Sequence, residues 1–167
     1  MTVAIDAEIN ALMQCLQRQR DHVLGAVEGL SDESLRRPVL PSGWSCLGMV
    51  QHLTLSVEAL WFRAVVAGEP EVIDMVGSQD SAWQVAPGLP AGEVLDRYRH
   101  EASLADAVIA ASAADADLAW WPFPGSEWRL RNLRDVLLHV ITETACHAGH
   151  LDAVRELIDG QQWLVNT

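Results

Sequence analysis

Hydrophobic residues recur at steps of three and four in four long stretches of this chain, and no run of strict alternation marks a strand. The first stretch, residues 4 to about 28, carries Leu12, Leu16, Gln19, Val23, Ala26 and Leu30 on its inner edge. His22 lies beside Val23 with no titratable neighbour in sequence and reads as a surface or hydrogen-bonded histidine. Gly29-Leu30-Ser31-Asp32 ends this helix, and residues 37–43, with Pro38, Pro41 and Gly43, form a rigid connector. Ser45 is a good N-cap for a second helix to about residue 67, because its hydroxyl can accept an otherwise unpaired backbone N–H. Trp44 and Met49 have the spacing of a hydrophobic staple across that cap, and Met49, Leu53, Val57, Leu60 and Ala64 make the stripe. Residues 68–89 are polar and broken by Gly77, Pro87 and Gly88, which predicts a loop with room for one short turn. Such a length inside a compact domain is usually functional. Pro90 fits the first turn of a third helix to about residue 114, with Val94, Leu95, Tyr98, Ala102, Ala105 and Ile109 inward and His100 solvated. Residues 113–131 are a second long connector, whose Trp120, Trp121, Phe123 and Trp128 read either as a satellite core under the loop or as a substrate lid.

The fourth stretch, residues 132–160, is the most informative. Asn132 followed by Asp135 makes a start resembling a capping box, and Gly160 supplies the stop. Leu133, Val136, Val140, Thr144, Leu151, Val154 and Ile158 form its apolar stripe. Within the ladder Val136, Val140, Glu143, His147, His150, Val154, however, a carboxylate and two imidazoles occupy rungs where Leu or Val would be expected. At about 100° per residue Glu143 and His147 are about 40° apart, and His150 falls within about 60° of both. His139, one turn earlier, shares the edge of this face. Unpaired buried carboxylates and imidazoles are costly, so such groups are paired, hydrogen-bonded or metal-bound. One reading pairs Glu143 with an arginine and leaves the histidines as core residues; the other is a metal or catalytic site, where such clusters concentrate. Four helices joined by one medium and two long connections predict an all-α four-helix bundle, taken as a single domain over residues 1–167.

Composition narrows the function. The chain of 167 residues is 50% hydrophobic and 20% charged, which argues against disorder. Its net charge of −12, without a single lysine, argues against a nucleic-acid partner, whose phosphates need basic side chains. Cys15, Cys46 and Cys146 form no CxxC pair and suit a reducing cytoplasm. The N-terminal segment lacks the basic and apolar regions of a signal peptide. The longest uncharged run, residues 38–57, holds Pro38, Pro41, Gln51 and His52 and cannot span a membrane.

Spacing excludes several chemistries. Glu143 and His147 are separated by four, so the E-x-x-H of di-iron bundles is missing, as is the H-E-x-x-H of zinc proteases. There is no P-loop and no G-x-S-x-G elbow, and Cys146 points to a different helix face from His147. What remains is a mononuclear site in which His52, at the near edge of the second stripe, joins Glu143 and His147. Three protein ligands with open positions are the pattern of catalytic zinc, although Ni, Fe(II) and Mn also take imidazole and carboxylate. The same ligand set serves non-haem iron oxygenases. Three roles stay open for His150: fourth ligand, general base, or a donor fixing Glu143.

Glu-Thr-x-x-His-Ala-Gly-His-Leu-Asp at 143–152, preceded by Leu133-Arg134-Asp135-Val136-Leu137-Leu138-His139, resembles the last helix of the DinB-like metal-binding bundles. The likeness extends to Gly29-Leu30-Ser31 before Leu35, Leu40-Pro41-Ser42-Gly43, the helix with His52 and Trp61-Phe62, and Trp83 in the long loop. It implies an up-down-down-up bundle, often a homodimer, with one divalent metal held by His52, Glu143 and His147. Many members have His where this chain has Glu143, while mycothiol-dependent maleylpyruvate isomerase is similar in using His, Glu, His. Bacillithiol and mycothiol S-transferases are related. The resemblance therefore implies a metal-dependent S-transferase or isomerase that joins a low-molecular-weight thiol such as mycothiol to a small electrophile. His150 is then the candidate base, and Trp120, Trp121, Phe123 and Trp128 shape the pocket. The competing class is a non-enzymatic metal-binding or stress-response bundle.

Overall fold

The four predicted helices form, and they carry most of the apolar side chains into one core. The computed structural model describes residues 7–77 and 82–163. The first helix, α1, is Ala7–Val27, so the expected start at Ala4 lies outside the described residues. A five-residue helix α2, Asp32–Arg36, follows; Ser31 caps it by accepting the Ser34 N–H, and Leu35 is buried. The second long helix begins as α3, Cys46–His52, with Ser45 accepting the Gly48 N–H as its capping chemistry predicts. From Leu53 to Val66 it opens into a π-helix, where the backbone bonds run five residues instead of four. The widened coil is buried on almost every side, from Leu53 and Thr54 through Glu58 to Trp61, Phe62 and Val66. A 3.6-residue stripe therefore describes its inner surface poorly.

Residues 70–77, expected in a loop, form a short helix α4, Pro70–Gly77. Pro70 has the backbone angle of a first helical turn, and Val72 is buried with Ile73, Met75 and Val76 packed at the edge of the core. Helix α5 is Ala91–Ala111 and α6 is Leu133–Asp159. Asn132 accepts the Asp135 N–H, while the Asp135 carboxylate takes the N–H of Arg131 instead of completing the box on Asn132. Gly160, at φ 75°, ends α6 in the left-handed region that favours glycine.

Named contacts fix the helix directions. Arg134 bonds Glu8 near the starts of α6 and α1, while His22 meets Asp152 near their ends, so these two helices are parallel. His52 faces Glu143 and Trp61 faces His139, so the α3–π helix runs antiparallel to α6. Arg20 reaches Asp106 and Leu24 lies near Tyr98, so α5 opposes α1. That is the up-down-down-up bundle the sequence resemblance implies. Its middle carries a buried ionic knot: Arg20 holds Glu58 through two 2.7 Å bonds and Asp106 through a third. Burial pulls the Arg20 pKa down, but its bonds to Glu58 and Asp106 outweigh that and raise it above the ordinary arginine value.

Candidate metal centre

His52 is the last residue of α3, at the point where the helix widens, and Glu143 and His147 lie one turn apart on α6. The antiparallel packing of these helices brings the three side chains together. Their ligating atoms all lie within 4.8 Å of one another, and among the described residues they form the one His/Cys/Asp/Glu group with that property. His52 Nε2 stands 3.7 Å and His147 Nε2 3.9 Å from the same oxygen, Glu143 Oε1. Both separations are too long for hydrogen bonds. The two rings meet nearly edge to face, with centroids 5.1 Å apart.

Neither imidazole behaves as a satisfied core histidine. The Nδ1 atoms of His52 and His147 are buried and have no hydrogen-bond partner among the described residues. Among the described residues no arginine pairs with Glu143; its partners are histidines, and Arg20, Arg63 and Arg155 are occupied elsewhere. Burial pushes the Glu143 carboxyl up, but the bond from His139 and the closeness of the His139 and His52 rings outweigh it and bring it down to about 2. Burial and the neighbouring His52 lower His147 below the ordinary histidine value. At neutral pH Glu143 is thus anionic and His147 neutral, the protonation states a cation requires of its ligands. The donor set and its spacing fit a divalent ion.

A model of the mycothiol S-transferase family matches residues 11–160, nine-tenths of the chain and all of the helical bundle but the first turn of α1. The chain belongs to that family. Among curated proteins none matches it. Membership agrees with the DinB-like resemblance of the sequence and with the all-helical architecture.

The remaining candidates of this mycothiol S-transferase family member fall around the triad in different ways. His150 is exposed and stands outside the ligand group; its ring lies 5.8 Å from that of His147 and 6.4 Å from Trp44. Trp121, Phe123 and Trp128 pack on Trp61 of the π-helix, with centroids 5.9, 6.5 and 6.0 Å from it. Trp128 and Trp61 in turn touch His139. Trp120 lies against the core and donates its backbone N–H to the Val65 carbonyl. Cys46 is buried and its thiol is pushed up to about 11, which removes it as a nucleophile.

Sequence reasoning named Trp83 and His139 without foreseeing their contacts with the triad. Trp83, from the long loop, stacks flat on His52 at 4.0 Å and meets His147 at 5.9 Å. Gln51 holds that loop by donating to the carbonyls of Ala82 and Gln84. A lone Trp in a polar loop beside a candidate ligand helix was the available signal. His139 was placed at the edge of the face, but its 3.1 Å contact with Glu143 Oε2 was not foreseen.

Proposed function

We propose that this protein is a divalent-metal-dependent enzyme that transfers a low-molecular-weight thiol such as mycothiol to a small electrophile, or isomerises an electrophile with its help. The reading rests on one observation above all: two imidazoles and a carboxylate from opposed helices converge on one point in a member of the mycothiol S-transferase family. His52, Glu143 and His147 would hold the ion, zinc by preference, with Ni, Fe(II) or Mn also suited to the donors. A bound divalent cation lowers the pKa of a coordinated thiol and so supplies a thiolate at neutral pH. Glu143 leaves less positive charge at such an ion than a third neutral His would. His150, exposed beside His147, would accept the thiol proton. Trp83 covers His52 on the loop side, while Trp120, Trp121 and Phe123 supply apolar surface for the electrophile.

The test is thiol conjugation to a generic electrophile by protein stripped with chelator and then reloaded. Turnover should vanish on stripping and return with zinc. Retention of the full rate after complete stripping would sink the proposal, and loss of fold without metal-dependent turnover would favour a structural role for the ion. His150→Gln should keep the metal while lowering turnover about 10²-fold or more, the scale of general-base catalysis. A single domain over residues 1–167, a cytoplasmic location and a homodimer belong to the same reading, supported by chain length, thiol usage and the DinB-like resemblance. Sedimentation velocity at micromolar concentration checks the dimer.

A further inference from the structure

The two oxygens of Glu143 have different neighbours. Oε1 is the atom that faces both His52 and His147, at 3.7 and 3.9 Å, whereas Oε2 is met at 3.1 Å by Nε2 of His139. A carboxylate can only accept, so the His139 nitrogen at that distance carries a proton and donates it. The His139 ring is itself fixed from the other side. It meets Trp61 edge to face at 4.7 Å and Trp128 at 5.5 Å, and Trp61 is 3% exposed. Trp121 and Phe123 close over these two indoles.

The geometry points to His139 as a positioning residue: by tying down Oε2 it presents Glu143 to the ion through Oε1 alone, and the aromatic cluster of the 120–128 connector serves to seat the His139 ring. This assigns to His139 the task of fixing Glu143 that the sequence left open for His150. It also gives the cluster a part in holding the metal, besides any contact with the electrophile. The inference rests on the metal-site reading above. A glutamate has three rotatable side-chain bonds, and an untethered carboxylate would lose that freedom on binding the ion. Outer partners of this kind commonly contribute 10- to 100-fold in metal affinity.

Zinc affinity, read by competition with a chromophoric chelator, is the test, alongside the visible spectrum of the cobalt(II)-loaded protein and the melting temperature of the stripped protein. His139→Ala should weaken zinc binding about 10- to 100-fold and alter the cobalt spectrum, with the stripped protein melting within a few degrees of wild type. His139→Gln, which keeps an N–H donor, should recover most of the affinity. Trp128→Ala should weaken zinc in the same direction by a smaller factor. Wild-type zinc affinity in His139→Ala, or a stripped His139→Ala protein that melts as much lower as the loaded one, would overturn this inference alone. Wild-type protein that binds no divalent metal would overturn it together with the reading on which it rests.

Discussion

Glu143 and Glu58 are both carboxylates within the bundle, and their partners give them opposite tasks. Glu58 is closed off by the fork of Arg20, which leaves nothing over for a ligand. Removing one side of such a pair strands a buried charge, so Arg20→Met should cost about 3–5 kcal/mol in urea unfolding. Among the described residues the ion-pair partners of Glu143 are all imidazoles, and it keeps an oxygen for a cation. Its depressed pKa has a stability consequence for the metal-free protein. A carboxyl lowered on folding contributes stability in full above its ordinary value of 4.5, and loses it as pH falls toward about 2. His147 acts in the same direction, since a histidine lowered on folding resists the proton that the unfolded chain takes up below pH 6.5. Thermal melting of the stripped protein should therefore fall on acidification through both windows, and Glu143→Gln should flatten the lower one. An unchanged slope in that variant would contradict the assigned charge state. The ligand types and their helical spacing were legible in the sequence, because charged rungs on an apolar ladder demand an explanation. The partners of Arg20 and His22 were not, because Glu58, Asp106 and Asp152 are far away in sequence and only packing brings them near.

Helix ends with side-chain or glycine caps were readable, and those set by packing were not. Ser45, Asn132 and Gly160 stop or start helices where their local chemistry says they should. Helix α5 ends at Ala111 instead of near Ala114, since Ser112 turns extended inside an Ala/Ser run that offers no break in hydrophobicity. The π-helix was illegible for a similar reason: no residue between Leu53 and Val66 announces an i→i+5 pattern, and Val57 and Glu58 are both buried within it. The loop of Trp83 depends on one close approach. A Cβ at Gly48 would come within 2.4 Å of the Trp83 carbonyl oxygen. Gly48→Ala should thus lift residues 82–84 off the helix and uncover His52, seen as faster amide exchange there and altered indole fluorescence. Unchanged exchange and fluorescence would show that the loop has room to spare.

Across the whole molecule, α1 and α6 run parallel while the helices that bear His52 and Asp106 run against them, so residues 91 and 95 positions apart in sequence share one site. The chain carries a net charge of −12, and among the described residues no helix is long and apolar enough to cross a membrane. Class and topology could be anticipated because patterning and the final-helix motif agree. The cover over the site could not, because it comes from loops whose path is set by contact with the finished bundle. The most direct measurement is elemental analysis of the purified wild type and of His147→Ala, each loaded with excess zinc and then freed of unbound ion. The account predicts one zinc per wild-type chain and almost none in the variant. A wild type that retains no metal, or a variant that retains as much as the wild type, would contradict it.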